Sequence, residues 1–239
     1  MLRTKVKIEQ ANHTYSDDEG RPYISCSKFL GLFEPVFNRE MFSKFSAKKK
    51  GVSQEVILRE WDKTRDTAID HGNRIHNTME YYAKNFSMPA GEEELTPMVH
   101  SIMFDYKEYY QCYSEEVLYT KYGIAGTSDK VLVVAKGKNS SLDVEDFKTN
   151  LSKGIESYNK YNKYFLGPIS HLHHCNYNKY ALQLSMYAYM LEEMLGRNIR
   201  ALWLRYIPPQ DKMQHVRIPV PYLKKEIESM IEYWLDNKN

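Results

Sequence analysis

The sequence predicts a mixed α/β fold, a small central β-sheet flanked by α-helices, and three observations carry that expectation. Val131 to Ala135 is a continuous apolar run, as in a strand buried on both faces. Leu142 to Lys148 alternates with period two, which puts Leu142, Val144, Asp146 and Lys148 on one face and Asp143, Glu145 and Phe147 on the other. Ser53 to Lys84 and Asn176 to Leu195 repeat apolar residues at helical spacing. The 239 residues suit one domain spanning 1–239, with enough material for a core.

Composition narrows the function classes. Charged residues make up 27% of the chain and the mean hydropathy is −0.62, so no membrane partner is expected. No run approaches the length of a membrane span, and the first ten residues hold no apolar signal core. A net charge of +2 is too small to argue nucleic-acid binding by itself; local patches matter more. Cys26, Cys112 and Cys175 are scattered and odd in number, which points to a reducing, cytoplasmic compartment and is too few for a four-cysteine iron–sulfur cluster.

In chain order, residues 1–50 read as an N-terminal hairpin with a basic elaboration. The hairpin runs from Lys5 to Ile24 and turns at Asp17 to Gly20; Ser25 to Ser27 cap a short helix through Leu32. The basic run from Lys44 to Lys50, with Lys48 and Lys49, is either a solvated helix end or a DNA-backbone contact. The long helix follows, placing His76 and Glu80 on one face. Asn85 to Glu94 is a polar connector. Thr96 caps a further helix with Pro97 at its first position, and Met98, Ile102, Phe104, Tyr109 and Tyr110 form its core stripe. Glu115 and Glu116 lead into a strand from Val117 to Tyr122.

After the central hairpin, residues 150–180 interleave tyrosines with lysines. Lys153, Tyr158, Lys160, Tyr161 and Lys163 would grip phosphate and stack on bases, or the tyrosines would cover the helices. His171, His173, His174 and Cys175 lack structural-zinc spacing. The helix from Asn176 ends at Gly196 and sets Gln183 and Tyr187 one turn apart. Ala201 to Ile207 and Val216 to Pro219 are strands, and 221–238 holds a closing helix with Ile227, Met230, Ile231 and Trp234 inward.

The chemistry concentrates in the hairpin from Gly123 to Asn150. Its pairing can bring Asp129 close to Asp146 and Lys148. Two unit charges about 4 Å apart repel by roughly 4 kcal/mol at an effective dielectric near 20. A divalent cation with oxygen ligands relieves this better than one lysine. Such a site suits phosphodiester hydrolysis, with Lys148 orienting or helping to deprotonate water and stabilising developing charge. The alternative is a salt bridge between neighbouring strands.

Asp129 within Gly126-Thr127-Ser128-Asp129, followed by Asp146-Phe147-Lys148, resembles the core of the PD-(D/E)XK nuclease superfamily. Gly72-Asn73-Arg74-Ile75-His76 with Glu80 resembles the G-x-x-x-H helix of its RecB-like and phage-exonuclease branch. Gln183 to Tyr187 resembles the branch's Q-x-x-x-Y helix, and Glu116 matches a frequently acidic position. Ser128 stands where the superfamily has its eponymous proline. The resemblance covers about residues 72–208.

It implies a restriction-endonuclease-like core and one or two Mg²⁺ or Mn²⁺ ions held by His76, Asp129, Asp146 and the Phe147 carbonyl oxygen. Lys148 is then the catalytic lysine, and Glu80, Glu116 and Gln183 complete the site; Glu80 could instead only orient His76. Arg74, Thr149 and Tyr187 join the DNA-contacting set, although Tyr187 equally reads as core. The implied activity is a metal-dependent deoxyribonuclease, an exonuclease processing linear duplex or single-stranded ends in phage recombination, replication or repair. The host cytoplasm, a homo-oligomer or a recombination-protein partner follow by the same resemblance. An endonuclease of this fold, or a catalytically silent DNA-binding scaffold, remains the alternative.

Overall fold

The computed structural model describes residues 5–9, 14–137, 140–149, 154–155, 162–208 and 214–237. Three short strands open it: β1 (Val6–Glu9), β2 (Thr14–Asp17) and β3 (Pro22–Ser25) form an antiparallel meander. The Asp17–Gly20 turn joins β2 to β3, closed by the Asp17 amide on the Arg21 carbonyl. Ser25 caps α1 (Cys26–Gly31), its hydroxyl accepting the Lys28 N–H at 3.3 Å. Then follow α2 (Arg39–Lys50), α3 (Gln54–Asn85) and α4 (Thr96–Asp105). Strands β4 (Gln111–Tyr119), β5 (Ile124–Val133) and β6 (Leu142–Lys148) lead to α5 (Asn176–Leu195), β7 (Ile199–Tyr206), β8 (Val216–Val220) and α6 (Lys224–Asp236).

These strands make one mixed sheet of eight, larger than the small sheet expected because the meander joins it. Parallel pairs link β3 to β5 and β6 to β7; the rest are antiparallel. Helices cover both faces, as a sheet with two apolar faces requires. On one face α1, α5 and α6 pack Phe29, Leu182, Met186 and Ile227 against Val131, Val144 and Leu204. On the other, α3 and α4 pack Ile75, Met79 and Ile102 against Leu132 and Phe147.

One irregularity positions the site. Strand β4 occupies one edge of β5 throughout. The other edge is shared: β3 holds it at Ile124 and Ala125, and β6 takes it from Lys130 onward. Between them, residues 126–129 lie where the sheet parts. Gly126 is required there, because an added Cβ would stand 2.7 Å from Tyr187 Cε1 and 3.1 Å from Cys26 Cβ. The Tyr187 ring of α5 packs directly on the backbone where the sheet opens.

Several expected bounds shift. Strands β4 and β5 begin earlier than their apolar runs, so Asp129 sits inside β5. Thr96 is helical and donates its hydroxyl to the Glu93 carbonyl at 2.7 Å; Leu95 holds the cap position. Phe104 and Tyr110 are exposed rather than core, since the helix ends at Asp105 and its stripe does not continue. The basic run forms the C-terminal part of α2, with Lys48, Lys49 and Lys50 in its last turn, where cations suit the helix's negative end. No described helix is long and apolar enough to cross a membrane.

Candidate active site

The β5–β6 pairing ends at Lys130 opposite Glu145, so Asp129 and Asp146 face each other just past the last ladder pair. The Phe147 amide does not join that ladder and instead donates to Asp129 Oδ2 at 2.6 Å. This is the juxtaposition the hairpin spacing predicts. From α3, His76 Nδ1 lies 3.2 Å from Asp129 Oδ1, and its ring stands edge-on to Phe147 with centroids 5.8 Å apart.

Lys148 pairs with Asp146 Oδ2 and donates to Gln183 Oε1 at 3.0 Å. Its ammonium also lies 4.8 Å from the centre of the Tyr180 ring. The Gln183 amide donates in turn to the Tyr187 hydroxyl at 3.0 Å, and that ring fills the space over Gly126. Helix α5 thus fixes the lysine through a chain of contacts that ends at the glycine.

Burial and charge set the protonation states. Burial pulls the His76 imidazole down, but Asp129 and then Asp146 outweigh it and raise its pKa to about 9. Burial pushes Asp146 up to about 6; Lys148 opposes this and Asp129 adds to it. Asp129 moves the other way. Burial raises it, yet His76, Lys148 and the Phe147 amide together hold it below the ordinary value. Burial lowers Lys148, but the two aspartates more than reverse that, so it remains an ammonium.

The acid that joins the cluster from β4 is Glu115, not the expected Glu116. Glu115 stands opposite Asp129 in the β4–β5 pairing and interrupts the ladder with φ of +52°. One ligand atom each from His76, Glu115 and Asp129 lie within 4.8 Å of one another. Burial raises the Glu115 carboxyl to about 8, with Asp129 adding to the shift. Asp146 faces Lys148 and is not part of this trio. An imidazole and two carboxylates converging at a surface cleft suit a divalent cation, which would offset both the burial of Glu115 and its repulsion from Asp129.

Glu80 borders the same cleft, although it is ion-paired to Lys84. The cleft measures 560 Å³ and is largely polar, with Ser27, Lys28, Asn73 and Asn77 around the cluster. Thr149 follows Lys148, its Oγ1 lying 3.3 Å from where a Cβ on Gly72 would stand.

The expected DNA contacts fare unevenly. Lys48 and Lys49 are exposed on α2. Lys163 lies over the Phe42 ring at 5.4 Å, and Tyr187 is buried against Gly126. Arg74 is committed to Glu92 and Glu94 at 2.6 and 2.5 Å, which offsets its charge. Lys153, Tyr158, Lys160 and Tyr161 lie outside the described residues. Sequence reasoning missed Glu115; counting back from the β4–β5 turn finds it, because that count alone sets it opposite Asp129.

No family model and no curated protein matches this chain. Among solved structures, a candidate exonuclease from Eubacterium rectale aligns over 90% of this chain and 79% of its own, at 11% identity and a TM-score of 0.40. An alkaline exonuclease from Laribacter hongkongensis aligns over 90% of this chain and 87% of its own, at 12% identity and a TM-score of 0.37. Likeness at this level says nothing about activity, which depends on the side chains of the cluster.

Proposed function

We propose that this chain is a metal-dependent deoxyribonuclease hydrolysing phosphodiester bonds, and that it acts as an exonuclease on DNA ends. The observation that carries the reading is the meeting of Asp129, Asp146 and Lys148 from two strands with His76 from a helix, where His76 and Asp129 line a polar cleft and Asp146 and Lys148 lie behind them. A surface salt bridge does not account for it, because both aspartates are buried.

His76, Glu115 and Asp129 would hold the cation, which would supply Lewis-acid polarisation of the phosphodiester and acidify water. Lys148 acts as an ammonium, stabilising charge as it develops on the phosphate and orienting the attacking water. Gln183 keeps that ammonium aimed. Asp146 balances it and accepts protons near neutral pH. Ser27, Lys28, Asn73 and Asn77 offer polar contacts to the sugar–phosphate chain.

The test is digestion of end-labelled linear duplex DNA in Mg²⁺, Mn²⁺ or EDTA, beside the same sequence as a closed circle. Release of nucleotides from the linear form alone, abolished by EDTA, is the expected result. Cleavage of the circle would make the enzyme an endonuclease. DNA binding without cleavage in any metal would leave a silent scaffold.

A second expectation concerns pH. His76 near 9 against an ordinary 6.5, Glu115 near 8 against 4.5 and Asp146 near 6 against 3.8 are all raised by folding. Each therefore contributes stability that is complete below the ordinary value and is lost as pH rises through the folded one. Asp129, shifted down, contributes above its ordinary value and loses this only in acid. Without cation, these groups predict falling stability between about pH 4 and 9. A cation replaces the departing protons, so its binding strengthens over the same range. Mn²⁺ should raise the melting temperature more at pH 8.5 than at pH 6.5. An equal rise at both values would count against His76 and Glu115 as ligands.

A further inference from the structure

A second cavity, of 720 Å³, adjoins the polar cleft. Glu80, Glu115 and Thr127 line both, so the two spaces meet at the acidic cluster. Their chemistry differs. The walls of the second are Tyr82 of α3 and Phe86 just past its end, Met103 of α4 and Tyr106 just after it. Its floor is Ser114 of β4 and Lys130 of β5, paired across the ladder.

Two features of this cavity suit a bound ligand. Lys130 is 1% exposed, yet among the described residues its ammonium forms no ion pair. It donates to the Ser114 hydroxyl at 2.6 Å and lies 5.7 Å from the centre of the Phe147 ring. Beyond that hydroxyl, the Phe147 ring and the charge of nearby Glu115, the ammonium has room for a further acceptor in the cavity, which would stabilise it. The second feature is backbone strain. Of the three described non-glycine residues with positive φ, two line this cavity: Phe86 at +53° and Glu115 at +52°. Phe86 closes α3 in that conformation and holds its ring 82% exposed at the cavity rim. Strain of this kind collects where a ligand is clamped.

We propose that this cavity takes an unpaired nucleobase of the polynucleotide whose phosphodiester lies at the acidic cluster. The proposal rests on the nuclease reading and adds to it the state of the substrate. A base offers two π faces, which suit the Phe86 and Tyr82 rings, and edge acceptors, which suit Lys130 and Ser114. Its backbone passes Glu115 and Thr127, where the cavities join. A base stacked in a duplex cannot reach this space, so the strand must be single or locally opened. Phosphate alone would not explain the aromatic walls, and Glu80, Glu115 and Glu116 leave the cavity little net positive charge.

The test measures binding of a labelled single-stranded DNA 12-mer in EDTA, so that nothing is cleaved. An abasic residue is scanned along it, for the wild type and for Phe86→Ala and Phe86→Trp. The expected result is a loss of about tenfold or more at one abasic position for the wild type. Phe86→Ala should show the same loss on the intact strand and no further loss at that position, and Phe86→Trp should restore binding. Phe86 is exposed, so melting curves close to wild type are expected for both variants. A flat abasic scan, or Phe86→Ala binding as tightly as wild type, overturns the proposal while metal-dependent cleavage by the wild type upholds the nuclease reading. If the wild type neither binds nor cleaves DNA, both fall.

Discussion

Lys148→Ala should lower the rate of phosphodiester hydrolysis by a factor of about 10² to 10³, the range seen when one preorganised donor is removed from a developing oxyanion. The folded chain should tolerate the change. Asp146 would lose its paired cation, but burial has already brought its carboxyl to about 6, so it can take up a proton near neutral pH instead of forcing the site open. Far-UV circular dichroism and DNA affinity are therefore expected to stay near wild type while cleavage is lost. Gln183→Ala should act in the same direction and more weakly, because Lys148 then keeps Asp146 and loses only its second partner. Initial rates on end-labelled DNA, with binding measured separately in EDTA, decide the matter. A Lys148→Ala enzyme with wild-type rates would remove the lysine from the chemistry.

The largest expected effect on stability lies on the other face of the same strand. Glu145 and Arg205 are both fully buried, with Arg205 Nε 2.5 Å from Glu145 Oε1. The Tyr106 hydroxyl donates to the same carboxylate at 2.6 Å, and Arg217 Nε reaches its other oxygen at 2.6 Å. Asp105 accepts from Arg205 at 2.6 Å. Beside this group, Asp143 takes two bonds from Arg200 and one each from Tyr109 and Trp203. Glu145→Ala would leave Arg205 in the interior with only Asp105 to offset it. Breaking a buried pair from one side costs about 3–5 kcal/mol, or a fall in melting temperature of roughly 10 °C for a chain of this length. Urea denaturation at pH 7 should show that loss. A change below about 1 kcal/mol would mean that water reaches the guanidinium.

Much of this architecture was legible in the sequence, for identifiable reasons. Strand β6 and helix α5 were read to the residue, because period-two alternation and the Gly196 stop are unambiguous. The hairpin count correctly set Asp129 against Asp146, and the four-residue spacing correctly paired Gln183 with Tyr187. The start of β5 was not legible. Gly126, Thr127 and Ser128 show no apolar pattern, since their burial comes from distant partners: the Tyr187 ring over Gly126 and the Tyr15 hydroxyl on Thr127. Glu115 was missed by one position because its strand begins six residues before the first clearly apolar one, Val117. Asp143, Glu145 and Arg205 were unreadable as interior residues. A charged side chain announces burial only through its partners, and those lie up to a hundred residues away.

The buried charges behind β6 also bear on how the chain finds its alignment. A slip of one residue between β6 and a neighbour would carry Asp143 and Glu145 into the apolar layer beneath α5 and take from Arg200, Arg205 and Arg217 their carboxylate partners on β6. An apolar strand of the same length could slide at little cost. Here every misaligned pairing is penalised several times over, and only one pairing sets Asp146 across from Asp129. The guanidinium lock thus acts as a proofreading device for the Asp129–Asp146 juxtaposition: a molecule that has folded at all has, by the same act, brought those two carboxylates together.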